Sequence, residues 1–297
     1  MPGIEPLPEA TRTLEAFADD GHRFEIQVFD AGVPETAPLV LVWPAMGTRG
    51  RNYLRLAERL RAFGVAAAVA DLRGHGSSSM RARDASFGYA DMLLGDWQAA
   101  TTLCRRLHPN RPLFLAGHSL GGQLSLLFTA AHGEQIQGCI LIAACSVYYR
   151  CYGVRALALR AAFPVIRLVT RLLGYFPGDR LGFAKQESAG VMRDWCRQGR
   201  TGRYAPNGDL TDYEAALARS TRPVLALEIT GDRYAPPAAV THLLDKLRSA
   251  AVQRRTLTAS EARKGFEHFD WFKQPEEVAL TMQTWLSGLN IGACTQT

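Results

Sequence analysis

The sequence predicts an α/β protein with a mostly parallel central sheet, helices on both faces and one helical insertion. Three observations point there. Short apolar runs alternate with longer amphipathic ones along most of the chain, the pattern of parallel strands joined by crossover helices. Several short runs are unbroken Val, Leu, Ile and Ala, as strands covered on both faces require. The alternation lapses once, from about residue 146 to residue 220, where the chain reads as helical and basic without a convincing strand. With 297 residues, 47% hydrophobic and 21% charged, the composition is that of a globular core, not of a disordered or collagen-like chain.

In chain order, strands are expected at 23–29, at the Leu-Val-Leu-Val-Trp run 39–43, and at the Val/Ala run 65–70. They continue at 112–116, 138–143, 223–230 and 252–258. Between them, 53–63, 89–107, 122–131 and 239–249 carry apolar residues at helical spacing, and 275–286 closes as a helix begun by Pro275. Within the insertion, Pro164 and Pro177 are expected to break the helices. The reading divides the chain into a core, 1–145 with 221–297, and a helical cap, 146–220. An insertion there covers the end of the sheet where ligands bind in open α/β folds.

The net charge of +6 is unevenly spread. Residues 150–203 hold ten Arg and one Lys against Asp179, Glu187 and Asp194, a local excess of eight positive charges that leaves the rest of the chain slightly acidic. Arg160, Arg167 and Arg171 fall within ~40° of one another on a helical wheel, with Leu, Val, Ile and Phe around the rest of the turn. Such a segment suits an anionic membrane surface or an anionic substrate, or is simply a solvated outer face. Its three arginines argue against the apolar stretch 156–176 spanning a bilayer. Nucleic acid is disfavoured, since no basic patch is interleaved with aromatics. The six cysteines (104, 139, 145, 151, 196 and 294) show neither a C-x-x-C pair nor zinc spacing and read as idle thiols. The first twenty residues have no basic start followed by an apolar run, so a cytoplasmic location is expected.

The most informative segment is Gly117-His118-Ser119-Leu120-Gly121-Gly122, which joins the strand 112–116 to a helical run. A Ser at a sharp strand-to-helix turn is held in a strained backbone with its hydroxyl clear of the sheet, and Gly117 and Gly121 leave room for the turn. The helix start aims free N–H groups and a positive dipole end at whatever that hydroxyl attacks. Asp71-Leu72-Arg73-Gly74-His75-Gly76-Ser77-Ser78 supplies a second motif, D-x-R-G-x-G-x-S. With both present, the chain resembles the α/β-hydrolase-fold serine hydrolases of esterase and lysophospholipase type over nearly its whole length.

That resemblance implies a Ser, Asp/Glu, His triad in that chain order, with Ser119 as nucleophile. The loop Gly231-Asp232-Arg233-Tyr234-Ala235-Pro236-Pro237 resembles the family's acid loop and makes Asp232 the acid, with Asp212, Glu214 and Glu228 as nearby carboxylates. Of seven histidines only His242 and His268 follow Asp232. His268 lies in a loop before the final helix, where the family's base lies, while His75 sits between two turn glycines and reads as structural. Phe266, Phe269, Trp271 and Phe272 around it either wall the site or pack beneath the loop. Two backbone N–H groups, of Leu120 and of Met46 (with Ala45 next), are implied as the oxyanion hole; Pro44-Ala45 stands where many relatives carry His-Gly.

The expected function is hydrolysis of a carboxylic ester or thioester of an acyl or lipid-like substrate through an acyl-enzyme on Ser119, with no metal or organic cofactor. An acyltransferase with the same triad, or a non-catalytic small-molecule binder on the same fold, are the alternatives. Expected partners are the small-molecule ester or thioester and, through the basic cap, an anionic membrane surface; the oligomeric state is not legible.

Overall fold

The computed structural model describes residues 7–258 and 267–289. Ten strands occur among them: β1 (Arg12–Phe17), β2 (Arg23–Phe29), β3 (Leu39–Trp43), β4 (Ala66–Ala70), β5 (Leu113–His118), β6 (Ile136–Ile142), β7 (Tyr175–Pro177), β8 (Gln186–Ser188), β9 (Val224–Ile229) and β10 (Val252–Leu257). Eight of these form one sheet in the order β1-β2-β4-β3-β5-β6-β9-β10. Only β2 runs against the others, antiparallel to both β1 and β4. The remaining pairs are parallel, as crossover connections dictate.

The reason the central strands read as unbroken apolar runs lies in their two covered faces. In β3, Leu39, Leu41 and Trp43 enter one core layer with Trp97, Leu124 and Phe128. Val40 and Val42 enter the opposite layer with Tyr53, Leu56 and Met282. The helices supplying those layers are α1 (Leu54–Ala62), α2 (Tyr89–Asp91), α3 (Gln98–Leu107) and α4 (Leu120–Ala131). Between α2 and α3 the turns of Met92–Trp97 are π-helical, so the amphipathic run 89–107 is one helical path with a widened middle.

Between β6 and β9 the chain forms α5 (Ala156–Leu173), α6 (Gly178–Leu181), α7 (Ala189–Thr201) and α8 (Tyr213–Arg219); α9 (Pro237–Leu244) and α10 (Glu276–Gly288) follow in the core. Helices α5 and α7 pack through Phe163 against Trp195, ring centroids 5.5 Å apart. Two expectations for this stretch need correction. Pro164 does not break a helix but lies inside α5, because both it and Arg160, whose carbonyl loses its i+4 donor, sit on the exposed face where water replaces the bond. The stretch is also not free of strands, since β7 and β8 pair antiparallel with Tyr175 opposite Ser188. Strand β1 carries no sequence signal; it is a mostly exposed edge whose order comes from pairing with β2. Among the described residues no helix is long and apolar enough to cross a membrane.

Candidate active site

At the carboxyl end of β5 the chain turns through Ser119, at φ 50° and ψ −114°, and enters α4. A non-glycine residue held there stores about 1–3 kcal/mol of strain. The packing around it leaves no room for side chains. A Cβ on Gly117 would lie 2.2 Å from the Gly121 carbonyl carbon, and one on Gly121 would lie 2.3 Å from the Pro44 oxygen. The elbow therefore presses backbone on backbone against the loop after β3. The Ser119 N–H donates to Ile142 O at 3.0 Å, fixing the turn to β6, while its side chain stays half-buried at the edge of a cavity.

Asp232 follows β9, and its carboxylate is fully engaged. Oδ1 accepts from the N–H groups of Tyr234 (2.8 Å) and Ala235 (3.0 Å), and Oδ2 lies 2.6 Å from His268 Nδ1. Both side chains are almost completely buried. The other carboxylates considered are occupied elsewhere: Asp212 caps α8 through Ala215 N–H, Glu214 pairs with Lys246, and Glu228 pairs with Arg254. His242 packs against Tyr148, and His75 meets Glu187 at 3.2 Å; burial opposes charge on His75, but the Glu187 carboxylate outweighs it and raises the imidazole pKa.

The loop after β3 is held by a residue the motifs do not reveal. Tyr53 Oη accepts from Ala45 N–H at 3.0 Å and bonds His118 Nδ1 at 2.7 Å. His118 is fully buried, and desolvation pushes its pKa well below the usual imidazole value. Its ring lies 4.7 Å from that of His268. His118 was visible inside the elbow motif, but nothing in sequence marks Tyr53, which reaches it from 65 positions away. The second motif fixes its own loop: Asp71 accepts from Gly50 N–H (2.6 Å) and Ser77 N–H (2.9 Å), and buried Arg73 pairs with Asp96 at 2.6 Å.

Ser119, Leu120, Met46 and His268 all line one cavity of about 840 Å³. Its walls are mostly apolar, with Val147, Leu159, Ile166, Phe176 and Trp195 from the 146–220 stretch. Phe269 and Phe272 also face it, whereas Trp271 is buried in the core layer beneath, and Phe266 lies outside the described residues. Tyr152 and Arg155 hook this stretch to the loop after β9 by donating to the Tyr234 (3.1 Å) and Arg233 (2.7 Å) carbonyls. The Cys145 thiol on the cavity wall is pushed up to about 12 by burial and is unreactive near neutrality. Cys104, Cys139, Cys151 and Cys196 are likewise unpaired, and Cys294 lies outside the described residues. Among the described residues no group of three His, Cys, Asp or Glu is arranged to hold a metal ion.

The comparisons with known proteins agree on the fold. A family model described as serine aminopeptidase, S33 (Hydrolase_4), matches residues 34–185, just over half the chain. Monoglyceride lipase of Mus musculus is 25% identical over 264 residues, covering 86% of this chain and 84% of its own. Monoacylglycerol lipase of Mycolicibacterium smegmatis is 28% identical over 141 residues, covering 46% of this chain and 48% of its own. The structure of Est1E from Butyrivibrio proteoclasticus with ferulic acid bound superposes with a TM-score of 0.65 at 16% identity, over 93% of this chain and 100% of that one. The eight-stranded sheet, the elbow at the end of β5 and the family match together place the chain in the serine aminopeptidase S33 family of α/β hydrolases, as a carboxylic ester hydrolase.

Proposed function

We propose that the protein hydrolyses acyl esters through an acyl-enzyme on Ser119. The observation that carries this reading is the 2.6 Å bond between Asp232 and His268 on the wall of the cavity that Ser119 also lines. In this scheme His268 removes the Ser119 proton, and the freed Oγ attacks the ester carbonyl. Asp232, held by two N–H groups and the imidazole, fixes the ring with Nδ1 protonated and balances the imidazolium that forms. The oxyanion receives the N–H of Leu120, at the first turn of α4 where helix N–H groups lack intrahelical acceptors, and that of Met46. The choice of Met46 over Ala45 rests on hydrogen bonding: the Ala45 N–H is spent on Tyr53. The imidazolium then protonates the leaving alcohol, and water repeats the sequence on the acyl-enzyme.

The apolar lining of the cavity favours an acyl chain, in keeping with the lipase relatives, whose names give monoglycerides as their substrates. The stretch 146–220 acts as the cap over that chain. Its helix α5 turns Leu159, Ala162 and Ile166 to the cavity and leaves Leu157, Val165, Leu168 and Leu172 exposed beside Arg160, Arg167 and Arg171. An apolar stripe flanked by cations suits an anionic bilayer, from which a lipid ester would enter. The experiment is hydrolysis of p-nitrophenyl esters of graded chain length, with fluorophosphonate labelling and Ser119→Ala as control. Labelling and turnover lost together in Ser119→Ala support the reading; turnover retained in that variant overturns it. Charge reversal at the three arginines should abolish binding to anionic vesicles, as should raising salt from ~50 to ~500 mM, which shortens the Debye length from about 14 to about 4 Å.

A further inference from the structure

A second cleft adjoins the acyl cavity, and its chemistry is opposite. It has a volume of about 390 Å³ and is lined by Arg49, Arg51, Arg81 and Lys185, with Asp179 as its one carboxylate. The four cations come from three separate parts of the chain: the loop after β3, the loop after the D-x-R-G-x-G-x-S turn, and the connection between β7 and β8. Among the described residues the side chains of Arg51, Arg81 and Lys185 have no hydrogen bond or ion pair. Some other arginines are paired with carboxylates, as Arg73 is with Asp96, Arg61 with Glu58 and Arg254 with Glu228. Asp179 is itself taken by the Arg180 N–H and the Gln186 amide. Converging like charges repel one another, and a concave surface of one sign concentrates counter-ions.

The two cavities meet at the loop after β3. Gly47, Thr48, Asn52 and Lys185 line both. A Cβ on Gly47 would lie 2.8 Å from Lys185 N and 2.9 Å from the Ala184 carbonyl carbon, so the loop after β3 and the connection between β7 and β8 touch backbone to backbone there. Gly47 follows Met46, whose N–H the proposed mechanism gives to the oxyanion. An ester with its carbonyl there and its acyl chain in the apolar cavity would turn its alcohol portion toward Thr48, Asn52 and Lys185, which also border the cationic cleft.

We propose that this cleft seats a phosphate group on the alcohol side of the substrate, making the favoured substrates acyl esters of phosphate-bearing alcohols. This rests on the function proposed above. A phosphate monoester carries close to two negative charges and three acceptor oxygens, which several converging cations match; one carboxylate would leave most of them unpaired. Arginine forks suit that geometry better than lysine alone.

The test uses the full chain and compares 1-acylglycerol with 1-acylglycerol 3-phosphate of the same acyl chain, at one short and one long chain length. Wild type should favour the phosphate ester in kcat/KM. In the Arg51→Gln, Arg81→Gln double variant the ratio of the two kcat/KM values should fall ~tenfold or more, chiefly through KM, as expected for losing charge-assisted bonds. Inorganic phosphate should compete with the phosphate ester in wild type and lose that effect in the variant. A fall at both chain lengths assigns the cleft to any phosphate-bearing ester, and a fall at the long length alone assigns it to a lipid head group. An unchanged ratio with hydrolysis still dependent on Ser119 overturns this inference only; hydrolysis that survives Ser119→Ala overturns the proposed function beneath it.

Discussion

Replacing Gly121 by Ala tests whether the elbow and the loop after β3 act as one device. The added Cβ would sit 2.3 Å from the Pro44 oxygen and 2.6 Å from the Trp43 oxygen, both backbone atoms. Close C···O contacts settle at about 3.3 Å, so the two segments must part by roughly 1 Å. Such a shift carries Met46 away from Leu120 and splays the two proposed oxyanion donors. Misplacement of ~1 Å costs about 10²-fold, and losing one oxyanion donor costs about 10²–10³-fold in kcat. The expected result is therefore a kcat lowered about 10²–10³-fold on p-nitrophenyl butyrate, with KM changed only a few-fold. Circular dichroism should report an intact fold. The matched control is Gly288→Ala, where a Cβ would meet nothing within 4 Å and activity should be unchanged. A Gly121→Ala enzyme that folds and keeps kcat within threefold of wild type would refute the reasoning.

The remaining expectations probe single links. Because Ser119 sits at φ 50°, Ser119→Gly should be about 1 kcal/mol more stable than Ser119→Ala in urea unfolding, both being inactive; equal stabilities would deny the strain. Tyr53→Phe removes the acceptor of Ala45 N–H and the partner of His118, so kcat should fall by about tenfold while KM holds; a change confined to KM would place Tyr53 outside the oxyanion loop's support. Asp232→Asn should lower kcat by several orders of magnitude without unfolding the protein, whereas Glu228→Gln should leave it near wild type; the reverse pattern would reassign the acid. His75 has a raised pKa in the fold, beside Glu187. Its stabilising contribution is therefore complete below the unfolded imidazole value of ~6.5 and fades as pH rises through the higher folded value. The stability gap between wild type and His75→Gln should accordingly narrow from pH 6 upward, and a gap that widens would contradict the pairing with Glu187.

Requirements that are local are legible in the chain. A strand buried on both faces must be apolar at every position, so β3, β4 and β5 were legible from composition alone, and their alternation with helices gave the parallel sheet. The elbow was legible because its requirement is local too: Gly117, Gly121 and Gly122 stand where any side chain would strike backbone. Features that depend on distant neighbours emerge only in the folded chain. Strand β1, with Arg12 and Glu15 facing solvent, becomes a strand only by pairing with β2, and Pro164 stays in α5 because solvent lies beside the carbonyl it leaves free. The meeting of Asp232 with His268, the tether from Tyr53 to Ala45 and His118, and the gathering of Arg49, Arg51, Arg81 and Lys185 each join segments far apart in the chain. No periodicity or spacing encodes such meetings, because each depends on how the whole sheet stacks and where its loops emerge.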